Sequence, residues 1–284
     1  MCIKERELVL GMNQIQSKLL EMMEWFHQFC VENDLRYYAL GGTMLGAKRH
    51  EGFIPWDDDI DLGMPRSDYQ KLESIMKSMG ASRYVIETPN TTASDYFYPY
   101  AKLYDTTTTL IENLKYRIIR GVFIDIFPLD GLGESLEEAE NNYKKVERKR
   151  NLLLMKTSGI RKGRSFYKNL SVILAKFLPV NEKKLLHEVA EKANVFSFDE
   201  VAYGGNALGA WRFKEIMPTR FMGKPKLYHF ESIQIFGAEH ADEYLTKLYG
   251  DWRQLPPEEK RITHHDFVEC DLAHSWLERD TKNL

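Results

Sequence analysis

The sequence predicts an α/β fold of the α+β kind: a mixed sheet with flanking helices, then a largely helical second lobe. Three observations predict it. Apolar residues recur at helical spacing near the start, short β-type runs separated by turn residues continue to about residue 128, and helical patterns dominate from 135 to 194. The 284 residues suffice for one large domain or a domain with an appended lobe.

Leu8, Met12, Ile15, Leu19, Met22, Phe26 and Phe29 alternate four- and three-residue steps, the stripe of one long helix. A dimer seam would share that spacing, but the flanking Leu20 and Met23 favour packing within the chain. Asn33-Asp34 breaks the helix, residues 36–40 read as a strand running into Gly41-Gly42, and residues 54–64 read as a second strand. Ser67 with Gln70 forms a capping-box pattern, opening a helix with Tyr69, Leu72, Ile75 and Met79 on one face and Gly80 at its end. Further β-type runs follow at 83–87, 100–104, 108–112 and 121–127, with Pro128 closing the last.

Ser135 with Glu138 is a second capping box, opening a long charged helix, and helical patterns return at 166–178 and 182–194. KLYHFESIQIFG resembles a hairpin and DEYLTKLYG a helix, ahead of the tail LPPEEKRITHHDFVECDLAHSW. The stretch DGLGES marks the best seam, dividing a catalytic core at 1–134 from a helical lobe at 135–284 that ends in a hairpin and a substrate-binding segment.

A net charge of −3 leaves any charged partner to a local patch. Cys2, Cys30 and Cys270 are odd in number and never in a CxxC pair, which fits a reducing, cytoplasmic setting. No stretch has the ~20 apolar residues needed to cross a bilayer.

The chemistry concentrates in GGTMLGAKRHEGFIPWDDDIDLGM, residues 41–64. On a strand, Asp57, Asp59 and Asp61 would share one face while Ile60, Leu62 and Met64 point into the core. Carboxylates that close repel, and a divalent cation turns the repulsion into coordination; oxygen ligands suit Mg²⁺ or Mn²⁺. Asp125, alone among apolar residues in GVFIDIFPLD, is the expected third acid, since a lone buried carboxylate costs several kcal/mol. An Asp paired with Arg120 is the plainer alternative. An EF-hand fails, because Leu62 stands where its Gly belongs and Asp68 where its Glu belongs. A glycosyltransferase D-x-D remains compatible with these residues.

Gly41, Gly42 and Thr43 follow a strand and could cradle phosphate oxygens with backbone N–H groups and a hydroxyl. Lys48, Arg49 and His50 are candidate cationic partners for phosphate charge that metals leave uncompensated.

Residues 41–64, followed by RSDYQKL, KLYDTTTTLIE, VFIDIFPLDG and YGDWRQLPPEEKR, closely resemble the LicD family of phosphocholine transferases, relatives of the fukutin-type phosphotransferases in the nucleotidyltransferase superfamily. The resemblance implies a nucleotidyltransferase-like core in which Asp59 and Asp61 hold Mg²⁺ and Asp125 is the third metal-site acid. It further implies CDP-choline or a related CDP-alcohol as donor, CMP as leaving group, and a sugar hydroxyl of a cell-wall or surface glycan precursor, of teichoic acid or lipopolysaccharide type, as acceptor. A catalytically dead module sensing a nucleotide-alcohol is the competing class, disfavoured by the three intact aspartates.

Choline recognition calls for aromatic faces, for which Trp56, Tyr98, Tyr100, Trp211 and Trp252 are candidates. In the family-like tail, Arg261 could clamp a diphosphate, and His264 and His265 could act as acids or orient the acceptor. Cys270 and His274, four apart on a possible helix, give only a weak zinc pattern. Lys144, Lys145, Arg148, Lys149, Arg150, Lys156, Arg161, Lys162 and Arg164 are countered only by Glu147 and precede the amphipathic FYKNLSVILAKFLPV. That basic segment, 144–164, could dock peripherally on an anionic membrane carrying a lipid-linked acceptor. Nucleic acid is not expected, because no aromatic interleaving accompanies the charge.

Overall fold

The computed structural model describes residues 12–80, 82–91, 93, 95–113, 117–158, 165–263 and 267–279. In chain order the first half runs α1 (Gln14–Glu32), β1 (Tyr38–Ala39), α2 (Gly41–Arg49), β2 (Asp61–Pro65), α3 (Arg66–Met79), β3 (Tyr84–Glu87), β4 (Ala101–Asp105), β5 (Thr109–Asn113), β6 (Arg117–Arg120) and β7 (Phe123–Gly133). The second half runs α4 (Leu136–Thr157), α5 (Phe166–Phe177), α6 (Glu182–Ala193), β8 (Tyr203–Gly205), β9 (Ile216–Pro218), β10 (Lys226–Phe230), β11 (Ile233–Gly237), α7 (Ala241–Tyr249) and β12 (Phe267–Asp271). The fold is α/β, as expected.

The main sheet has the order β1-β2-β7-β4-β3, and β8 and β9 extend it from β7. Only β2 and β7 run parallel; the other pairings are antiparallel. α1 lays Leu19, Met22, Met23, Phe26 and Phe29 into the core, so its stripe packs within the chain. Asn13 and Gln16 cap its start reciprocally; Met12 lies outside the helix and is exposed, and Leu8 falls outside the described residues.

Four expectations need correction. The expected strand at 54–64 begins only at Asp61, and Asp57, Asp58 and Asp59 occupy the loop before it. α3 starts at Arg66 without a side-chain cap, so the Ser67 capping box is not formed. Pro128 does not close β7: the pairing with β4 ends at Ile126, so beyond it Pro128 lies beside β2 alone, where a missing N–H is tolerated. Cys270 lies on β12 rather than on a helix, and His274 beyond it pairs with Asp271.

The expected seam coincides with the end of β7 and the start of α4. The second half nonetheless rejoins the first, through β8 on β7 and β12 on β5.

Candidate active site

A polar row crosses the otherwise apolar sheet. Asp61 on β2 lies in register with Asp125 on β7, Asp125 with Lys102 on β4, and Lys102 with Glu87 on β3. Register partners point to the same face, so three carboxylates and an ammonium stand side by side. Lys102, only 2 % exposed, reaches Asp125 Oδ1 at 2.8 Å and Glu112 at 3.6 Å, with its Nζ over the Phe123 and Tyr98 rings. Burying an ammonium is tolerable because it is paired.

Around this row the carboxyls are unevenly held. Desolvation, then the charges of Asp59 and Asp125, push the Asp61 carboxyl well above the usual carboxylate range. Asp125 is pushed up to about 6 by desolvation, with Lys102 pulling the other way. The acids therefore crowd as the sequence leads one to expect, although Asp59 contributes from a loop.

The loop is fixed from two sides. Gln16 on α1 donates to the carbonyl of Asp57 at 2.7 Å, and Thr263 donates to Asp58 at 2.7 Å. Gly41 and Gly42 open α2. Gly41 has φ +48°, and a Cβ on Gly42 would stand 2.5 Å from Asp57 Oδ2, so the second glycine admits the carboxylate. The Gly41 N–H donates to the buried Tyr244 hydroxyl at 2.8 Å, and the Thr43 hydroxyl accepts from Asp61 N at 2.9 Å. Thr43 thus ties the helix start to the strand that carries Asp61.

A cavity of about 490 Å³ opens on this row. Asp59, Asp61, Asp125 and Gly41 line one side; Phe97, Tyr98, Tyr100, Phe127 and Trp211 supply aromatic walls; Arg150, Asn206 and Glu215 come from the second half of the chain. The buried Glu215 carboxyl is pushed up to about 7 by desolvation, and it accepts from the Trp211 N–H at 2.9 Å. Among the described residues, no three His, Cys, Asp or Glu side chains converge closely enough to hold an ion by themselves. Mg²⁺ asks for only one or two carboxylates, completed by water and substrate oxygens. Asp59 and Asp61 fit that demand.

Other sequence candidates lie outside the cavity lining. Arg49 donates to the carbonyls of Trp252 and Gln254 and to His50, while Lys48 stands 3.6 Å from Asp242. His50 packs edge-on to Trp56, and Arg261 lies over the same ring while bonding the Pro256 carbonyl. Of the five candidate choline aromatics, Tyr98, Tyr100 and Trp211 reach the cavity; Trp56 and Trp252 do not. His264 and His265 lie outside the described residues.

Among its described residues, the basic segment does not form one cationic face. Arg150 and Lys156 are buried, and Lys156 caps the end of α5 through the Leu178 carbonyl at 2.9 Å. Lys144 pairs with Glu140 and Lys149 with Glu188, while Arg161, Lys162 and Arg164 fall outside the described residues.

Sequence reasoning passed over Lys102 and Glu215 and assigned Arg150 to the surface. Two signals were available. Lys102 interrupts a strand opposite FID, and Arg150 falls in the stripe Ala139, Tyr143, Val146, Leu153 that α4 buries.

A sheet that pairs carboxylates across parallel strands, beside a glycine-led helix and a polar and aromatic cavity, is compatible with phosphoryl transfer, and the chain's relatives assign the class, a phosphotransferase. A family model described as LicD/FKTN/FKRP, nucleotidyltransferase domain, matches residues 34–151. The lipopolysaccharide cholinephosphotransferase LicD of Haemophilus influenzae is 30% identical over 261 residues, covering 90% of this chain and 96% of that protein. The chain belongs to the LicD family. Shorter matches include an uncharacterized Rickettsia prowazekii protein, 35% identical over 24% of this chain and 26% of that protein. The human ribitol 5-phosphate transferase FKRP is 46% identical over 14% of this chain and 8% of its own.

Proposed function

We propose that the enzyme transfers phosphocholine from CDP-choline to a sugar hydroxyl of a lipopolysaccharide or teichoic acid precursor, releasing CMP. The observation that carries this reading is the union, in one cavity, of Asp59, Asp61 and Asp125 with the rings of Phe97, Tyr98, Tyr100, Phe127 and Trp211. Aromatic faces attract a quaternary ammonium, while a polyol such as ribitol gains less from them. The cholinephosphotransferase relative, matched over nearly its whole length, points the same way.

Asp59 and Asp61 would hold Mg²⁺, with Mn²⁺ as a substitute, and the ion would supply the charge neutralisation that a diphosphate needs. The acceptor oxygen bonds to the phosphocholine phosphorus as the bridging P–O bond to CMP breaks. Asp125, oriented by Lys102, takes the hydroxyl proton, a role that its 2.8 Å ion pair with Lys102 supports.

The reaction belongs in the cytoplasm, at the inner face of the membrane that carries a lipid-linked acceptor. Among the described residues no helix is long and apolar enough to cross a membrane. The lipid contact falls to α5, where Phe166, Tyr167, Leu174 and Phe177 are each at least 59 % exposed. In sequence, residues 161–181 hold five Lys or Arg and no acid. Phe166→Ser with Phe177→Ser is expected to abolish sedimentation with phosphatidylglycerol vesicles, and retained sedimentation would remove α5 from this role.

A thermal-shift panel of CDP-choline, CDP-glycerol, CDP-ribitol and UDP-sugars, with and without Mg²⁺, tests the donor. The largest shift is expected for CDP-choline and only with Mg²⁺. A preference for a UDP-sugar, with release of a nucleoside diphosphate, would instead establish the glycosyltransferase reading of the D-x-D.

A further inference from the structure

Arg150 occupies a costly position that the proposed reaction has not yet used. It projects from the buried face of α4 into the cavity and is 8 % exposed. Its Nη1 has no hydrogen-bond partner among the described residues. A guanidinium withdrawn from water normally recovers that cost through paired acceptors, so an unmet buried donor aimed into a cavity points to an absent acceptor.

The residues on hand do not supply one. Among the described residues lining the cavity, Arg150 is the single Lys, Arg or His, facing Asp59, Asp61, Asp125 and Glu215. Asp125 is engaged by Lys102. Glu215 feels the charge of Arg150, yet its carboxyl stays up near 7 and is bonded to the Trp211 N–H, so at neutral pH it is an incomplete counter-ion. Tyr100, another lining residue, offers a ring and a hydroxyl but no charge.

Geometry and chemistry narrow the missing acceptor. It must be anionic, fit beside carboxylates that an ion screens, and present several oxygens to a planar fork of donors, which is the description of a phosphate group. We propose that Arg150 is the anion-binding residue of this cavity, taking the phosphate oxygens of the nucleotide donor from the side opposite Asp59 and Asp61. In that arrangement Asp59 and Asp61 would act on the diphosphate through a bound ion, and the Arg150 guanidinium directly. Lys48 and Arg49, engaged elsewhere, are not needed for that contact.

This inference rests on the phosphotransferase reading but not on choline as head group. Its test is therefore calorimetric titration of the full-length protein with inorganic pyrophosphate in Mg²⁺, alongside CDP-choline. Arg150→Gln is expected to weaken pyrophosphate binding roughly 10- to 100-fold, and Arg150→Lys, which keeps the charge but loses the fork, by roughly 5-fold. Pyrophosphate binding that is unchanged in Arg150→Gln, or absent from the wild type, overturns the proposal. Should Arg150→Gln fail to fold, Arg150→Lys decides alone: weaker pyrophosphate binding supports the contact and equal binding overturns it. Loss of CDP-choline binding by the wild type with pyrophosphate binding intact would refute the donor and leave Arg150 in place.

Discussion

Two sets of cations stand in opposite relation to the acidic stretch. Lys48, Arg49 and His50 are its neighbours in sequence, yet they close onto the Trp252 to Gln254 turn, Asp242 and Trp56. Lys102 and Arg150 are distant in sequence, yet one is ion-paired to Asp125 and the other lines the cavity with all three acids. The first set has a structural task instead: Arg49 and Lys48 tie the end of α2 to the Trp252 to Gln254 turn and to Asp242 on α7. Sheet register and the buried stripe of α4 delivered the second set.

The contrast can be broken experimentally, most forcefully at Asp125. Asp125→Asn keeps the shape and removes the proton acceptor facing Lys102; CMP release in Mg²⁺ is expected to fall by roughly 10² to 10⁴-fold. A fall below threefold would take Asp125 out of the chemistry.

Next comes Lys102→Met, which leaves Asp125 buried without its ion partner. Removal of one member of such a pair costs about 3–5 kcal/mol, read as a lower midpoint in urea unfolding. Partial recovery in Lys102→Met with Asp125→Asn would identify the uncompensated carboxylate as the source of the loss, and no recovery would point elsewhere.

Glu215 offers a smaller, pH-dependent effect. Its folded-state value near 7 lies above the ordinary 4.5, so its contribution to stability is fully present below about 4.5 and is lost as pH rises through about 7. The melting temperature of the ligand-free protein is expected to decline over that interval, and Glu215→Gln, which keeps an acceptor for the Trp211 N–H, to flatten the decline. An identical slope in the variant would assign the pH dependence to other groups.

The smallest effect on turnover is expected at Arg49. Its donors serve backbone carbonyls, so Arg49→Gln should lower stability by about 1–2 kcal/mol while changing the KM for CDP-choline less than threefold. A tenfold rise in KM at unchanged stability would restore Arg49 to the substrate.

Much of this was legible in the sequence. The α1 stripe, the helix stop at Gly80, most of the strands and the candidacy of Asp125 as an acid near Asp61 followed from periodicity and from acids placed among apolar residues. Three things were hidden for physical reasons. The first bond between β7 and this segment is to the Ile60 carbonyl, while the alternating pattern begins earlier, so Asp59 mimicked a strand residue while sitting in a loop. A proline is compatible with a strand wherever one side lacks a partner, which concealed the length of β7. Charge counted along α4 averages over all its faces, which concealed the inward turn of Arg150 and Lys156.

Asp59 and Asp61 serve the proposed reaction only if a divalent ion binds between them and the donor diphosphate. Release of CMP from CDP-choline by the Asp59→Ala, Asp61→Ala double variant, at saturating Mg²⁺ and with folding checked by circular dichroism, tests this most directly. Turnover is expected to drop by on the order of 10³-fold or more. Turnover at the wild-type rate would contradict it.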